Sequence, residues 1–177
     1  MKQNFIYQLV LLYHKMGLAF DLFLIVAFVV IWFIINVKIK SKATVWFNRI
    51  GFGFGLFGIV LLGLISRVTS TMQYNLIPFR HISNATIYYI QGIVSNILFF
   101  VPIGLTLPYL LVDRCRKPVP VSIILGFLIS VSVEVLQLIL RRGVFETEDI
   151  IINTLGTAIG TLSFVFSKRV RRKDDKT

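Results

Sequence analysis

The sequence predicts an all-α fold, a multi-pass transmembrane helical bundle of about five helices. Three observations carry this. Hydrophobic residues make up 56% of the chain and its mean hydropathy is +0.81, too apolar for a soluble domain. Apolar stretches recur at the length that a bilayer core of about 30 Å requires, roughly 20 residues each. The basic residues sit in the short segments between those stretches.

Five windows qualify as spans: residues 17–37, 50–66, 90–112, 119–140 and 150–167. The first contains "LFLIVAFVVIWFIINV", with Asp21 near its outer end. Ahead of it, Phe5, Ile6, Leu9, Val10 and Tyr13 have helical spacing. That spacing fits either a helix lying on the membrane surface or an extension of the first span. The second window, "IGFGFGLFGIVLLGLIS", is short and glycine-rich. Pro102 and Pro108 predict a kink in the third, because each removes a backbone donor. The basic residues at 168–177 form a cytoplasmic tail with no catalytic role.

Charge sets the orientation. Lys38, Lys40, Lys42 and Arg49, then Arg114, Arg116 and Lys117, and finally the tail together hold thirteen basic residues. The alternate segments hold six: Lys2, Lys15, Arg67, Arg80, Arg141 and Arg142. The richer side is expected in the cytoplasm, which puts the N-terminus and the loop 67–89 outside. The net charge of +11 is therefore a topology signal and does not mark a nucleic-acid binder. Cys115 is the single cysteine, so neither an intrachain disulfide nor a cysteine metal site is expected. No metal and no cofactor is expected.

The polar residues inside the apolar windows converge. Glu134 lies six residues before Leu140, roughly 9 Å inside the outer boundary at 1.5 Å per residue. A carboxylate there costs about 2.5–3.5 kcal/mol and should face protein or water. Glu134, Gln137 and Arg141 share one helix face by spacing, as do Asp149, Asn153, Gly156 and Gly160 on the last helix. Asn96 adds a third polar group at similar depth. A common pocket in the outer half of the bundle follows.

Each feature also has a plainer reading. Glu134 and Gln137 fit a functional site or interhelical packing. Asp149 or Glu148 fits a cap on the last helix, whose start favours acids. Asn96 and Asn153 fit a mutual hydrogen bond, and Gly51/Gly55 and Gly156/Gly160 fit close-packing faces. His81 and His14 read as solvated.

Four elements together resemble the VanZ-like family of small bacterial membrane proteins. They are "NLIPF" at 75–79, "NILFFVPIG" at 96–104, Glu134-x-x-Gln137, and an acidic turn leading to Asp149, Asn153, Thr154 and Gly156. Relatives usually carry aspartate where this chain has Glu146, and often also at Glu148. The resemblance covers about residues 50–167. It leaves 1–40 as an additional N-terminal membrane segment beside a four-helix core. It implies a bacterial cell membrane and a role in susceptibility to teicoplanin-type glycopeptides.

The leading reading is a non-enzymatic protein that binds an amphiphile in the outer leaflet. Its partner is a membrane lipid, a lipid-linked cell-wall precursor or the lipid-tailed antibiotic; the oligomeric state stays open. Arg67, Arg80, Arg141 and Arg142 would meet phosphate or carboxylate. Asn75, Asn96, Gln137, Asp149 and Asn153 would contact the head group, and Glu134 would orient Arg141 or Asn96. The rival is an intramembrane hydrolase or transferase with Glu134 and Asp149 as acid–base pair. No nucleophile–base motif accompanies that pair.

Overall fold

The computed structural model describes residues 23, 26–39, 42–65 and 71–174. Residues 5–16, Asp21 and Arg67 lie outside the described residues. Among the described residues there are five α-helices: α1 (Val26–Lys38), α2 (Lys42–Val60), α3 (Ile87–Leu111), α4 (Pro118–Leu140) and α5 (Thr147–Asp174). A π-helical turn, Leu61–Ile65, continues α2. The only strands among the described residues are two short ones, β1 (Tyr74–Asn75) and β2 (Phe145–Glu146). They pair in parallel, Tyr74 with Phe145 and Asn75 with Glu146.

Among the described residues, four helices contain windows long and apolar enough to cross a membrane: Ala43–Val60, Tyr89–Leu111, Pro118–Leu140 and Thr147–Val170. Over its described residues α1 is a shorter apolar helix. Surface and interior are arranged as lipid demands. Phe54, Phe57, Ile124, Ile139, Leu162 and Phe166 are exposed, while Asn36, Asn48, Ser130, Thr157 and Thr161 are buried. An apolar exterior needs no cover in hydrocarbon, whereas polar groups must find partners inside.

Two boundaries differ from the sequence expectation. The second helix begins at Lys42, inside the basic segment, and not near residue 50. Asn48 in that segment is fully buried and bonds to α1, so the segment folds as helix. The indole N–H of Trp32 donates to Asn48 Oδ1 (2.9 Å), and Asn48 Nδ2 donates to Asn36 Oδ1 (2.8 Å) and the Thr44 carbonyl (2.8 Å). Asn36 Nδ2 closes the network on the Trp32 carbonyl (2.9 Å). Every side-chain amide group in this network has a partner. The basic tail also differs, because α5 runs through it to Asp174 with no break.

Helix α3 is the central element: half of its span is buried, against 28% for α2 and for α4. On one side it packs Phe100, Ile103 and Leu107 against Ile59 and Val133. On the other, Val101 and Leu105 meet Trp32 and Phe164. Pro102 and Pro108 both lie within the continuous helix. Thr86 caps its start by accepting from the Tyr89 N–H (3.3 Å).

Glycines set the closest approaches. A Cβ on Gly104 would collide with the Thr157 carbonyl, one on Gly156 with the Ile97 carbonyl, and one on Gly160 with the Val101 carbonyl. Backbone therefore lies against backbone between α3 and α5. On α2, Gly51 and Gly55 face Thr106 and Ile103 of α3, each 3.1 Å from the position a Cβ would take. Both glycine pairs are close-packing faces.

Candidate functional site

One end of the bundle collects the first turns of α5, the last turns of α4, the π-helical end of α2 and the N-terminal half of α3. A cavity of about 50 Å³ lies there. Its polar lining is Asn96, Glu134, Gln137, Asp149 and Asn153, and its apolar lining is Ile59, Phe99, Phe100 and Val133, with Gly63 at the side. Five of the nine residues singled out in the sequence thus share one cavity. Their helical spacing is the cause: on α4, Ser122, Gly126, Ser130, Glu134 and Gln137 form a single buried stripe.

Gln137 and Asn153 are held in place. Gln137 Nε2 donates to the Gly63 carbonyl (2.9 Å), a group that can only accept, which fixes the orientation of the amide. Gln137 Oε1 is then buried with no hydrogen-bond partner. Asn153 Nδ2 bonds to Ser130 Oγ (3.0 Å), and its Oδ1 is likewise buried without a partner. Asn153 therefore reaches α4, and not Asn96 as a mutual amide pair would require. At the other end of the molecule the side-chain amides of the Trp32–Asn36–Asn48 network are all paired within the protein. Gln137 Oε1 and Asn153 Oδ1 thus line the cavity as acceptors with no partner in the protein.

The carboxylates hold the loops. Glu134 Oε2 accepts from the Glu146 N–H (2.9 Å), so it positions β2. The expectation that Glu134 would orient Arg141 meets a different geometry. Helix α4 ends at Leu140, and Arg141 takes a left-handed conformation (φ 54°) with an exposed side chain. The turn is closed by the Arg142 N–H donating to the Gln137 carbonyl (2.8 Å). Arg80 is also exposed, and Asn75 uses its Oδ1 to accept from the Ile77 N–H (3.3 Å) within its own turn. Neither Arg80, Arg141 nor Asn75 lines the cavity.

Glu148 does more than the capping role foreseen for it. One oxygen accepts from the Phe79 N–H (2.9 Å) and the other from the Tyr89 hydroxyl (2.6 Å), while the residue is only 5% exposed. Phe79 itself is left-handed (φ 58°), which costs a side-chain-bearing residue about 1–2 kcal/mol. Together with the β1–β2 pairing, Glu148 binds the "NLIPF" segment down beside the cavity. Bonds to a charged group contribute about 1.5–3 kcal/mol each. Glu148→Ala should therefore speed amide exchange at residues 77–82 on the order of ten- to hundredfold, with α3 and α4 unchanged. Hydrogen–deuterium exchange mass spectrometry reads this directly, and unchanged exchange there would remove Glu148 as the tether.

An all-α bundle with a lipid-compatible exterior, a polar interior and an incompletely satisfied cavity at one end is a multi-pass membrane protein. The family model described as VanZ/LLP1 matches residues 20–168, and the chain belongs to that family. The match takes in α1 as well as the four longer helices. No curated protein and no solved structure matches the chain.

Proposed function

We propose that this protein binds the head group of an envelope amphiphile in the cavity at this end of the bundle, without chemical change. The observation that supports it is the pair of buried acceptors without a protein partner, Gln137 Oε1 and Asn153 Oδ1, both on the lining of one cavity. An unsatisfied buried acceptor costs about 1–3 kcal/mol, which a ligand's donors would recover. The apolar outer faces of the helices offer a tail the same environment as the bilayer. Arg80 and Arg141, exposed on the adjoining loops, suit a phosphate or carboxylate of the same molecule. On the family's precedent, the bound molecule is a membrane lipid, a lipid-linked wall precursor or a teicoplanin-type glycopeptide. Its sequestration alters glycopeptide susceptibility.

The test is the lipid that co-purifies with the full chain, identified by mass spectrometry for wild type and Asn153→Leu. A head-group class enriched in wild type and lost from a folded variant supports the binder. A chemically altered lipid supports instead a hydrolase or transferase using Glu134 and Asp149.

The orientation proposed from the basic residues places this end outside the cell. Ser83 is exposed in the loop, so Ser83→Cys in a Cys115→Ser background should react with a membrane-impermeant maleimide in intact cells. Labelling only after permeabilisation would move the cavity to the cytoplasmic leaflet.

A further inference from the structure

We infer that the segment 72–82 lies in the membrane interface, with its apolar side chains at the level where lipid head groups meet acyl chains. This stands apart from what the cavity holds. By sequence the segment is a loop between spans, for which water is the default surrounding. Its side chains are of another kind. Met72, Tyr74, Leu76, Ile77 and Ile82 are all exposed, Tyr74 by 70% and Leu76 by 61%. Ile139 and Leu162, on helices that cross the bilayer, are exposed by 63% and 66%. Five such side chains within eleven residues make an apolar patch that a loop in water rarely carries.

Backbone bonds hold the loop against the protein and leave these side chains outward. The Gln73 carbonyl accepts from the Phe145 N–H (3.0 Å), β1 pairs with β2, and the Phe79 N–H donates to Glu148. The loop is thereby tied to the turn between Leu140, where α4 ends, and Thr147, where α5 begins. That turn marks the edge of the lipid-facing surface. Ile90, Ile139 and Leu140, at the adjoining ends of α3 and α4, are exposed apolar residues. The patch continues their belt, so its occupant is the lipid of the same leaflet. Depth follows from polarity. Irregular backbone facing lipid is not tolerated in the hydrocarbon core, so the loop stops at the boundary. Tyr74 suits that level, where aromatic rings with a polar end collect. The stretch 71–86 has no acidic residue, and Arg80 and Arg141 are exposed, so the charge of the loop complements lipid phosphates.

The test attaches a nitroxide to the full chain carrying Cys115→Ser and either Leu76→Cys or Ile77→Cys. Ile139→Cys serves as the lipid-facing reference and Ser83→Cys as the polar one. All four positions are exposed, so the labels leave the packing untouched, and two loop positions guard against misfolding of either. Each chain is reconstituted in vesicles of phosphatidylcholine and phosphatidylglycerol. Collision of the label with oxygen, which collects in lipid, is then compared with collision with a water-soluble nickel chelate. Labels at 76 and 77 should favour oxygen, approaching the ratio at Ile139 and exceeding that at Ser83 severalfold. A ratio at both positions no higher than at Ser83 overturns the interfacial loop and returns it to water. Protection from both reagents, or broadening by a second nitroxide, overturns the lipid in favour of a second copy of this chain.

Discussion

Alanine at Gly160 should cost the protein most of its monodisperse fraction in detergent, while alanine at Gly53 should cost it nothing. The two residues look alike in sequence, since each sits in a glycine-spaced apolar run. They differ in what a methyl group would touch. At Gly160 it would meet the Val101 carbonyl and the Leu105 backbone nitrogen (2.7 Å). These are backbone atoms that no rotamer change can clear. The helices α3 and α5 would have to separate along their shared face, which also contains Gly104 and Gly156. Overpacking costs typically about 1–3 kcal/mol and more where the neighbour cannot give. At Gly53 and Gly58 nothing lies within 4 Å of the added carbon. Alanine there should stabilise the helix by about 0.5–1 kcal/mol. Thermal unfolding followed by size-exclusion chromatography should therefore place Gly160→Ala and Gly156→Ala well below wild type, and Gly53→Ala at or above it. If Gly160→Ala melts with the wild type, the α3–α5 backbone contact is not what holds the bundle.

The contrast shows how far the sequence could be read. The bundle was legible because lipid forces apolar runs of one length, and five such runs appear. The cavity was legible because Glu134/Gln137 and Asp149/Asn153 sit on regular helices, where spacing alone fixes the face. Loops carry no such period. Nothing in "RRGV" announces that Arg141 turns left-handed and leaves the face of Glu134, since arginine rarely adopts that conformation. Glu148 was hidden by a sufficient local explanation. An acid in the first turn of a helix reads as a response to the dipole, whereas its partners, Phe79 and Tyr89, lie 69 and 59 residues away. Asn36 and Asn48 were missed for a related reason. Each is one amide near the end of an apolar run, and only the packing of α1 beside α2 makes them a network.

Glu134 is where holding the fold and holding the ligand can be pulled apart. Its Oε2 accepts from the Glu146 N–H, so it anchors β2 and, through the β1–β2 pairing, the segment beside the cavity. Its side chain also lines the cavity, with 1% of its surface exposed. Glu134→Leu removes the acceptor altogether. The Glu146 N–H is then left without its partner, at about 1–3 kcal/mol. Amide exchange around 143–148 should rise by roughly an order of magnitude or more, and head-group binding should be lost with the segment. Glu134→Gln keeps an acceptor of the same reach, because the amide oxygen takes the same hydrogen bond. Exchange at 143–148 should then stay at the wild-type level. Binding should still weaken about tenfold, since a neutral acceptor replaces a charged one. A glutamate that works by proton transfer predicts a different pair of results: Glu134→Gln would bind its lipid as tightly as wild type and convert none of it, because an amide cannot exchange the proton. Exchange, lipid affinity and product formation, measured on the same purified samples of both variants, separate these outcomes. Tight binding by Glu134→Gln together with loss of a wild-type lipid product would end the binder reading and make Glu134 an acid–base residue.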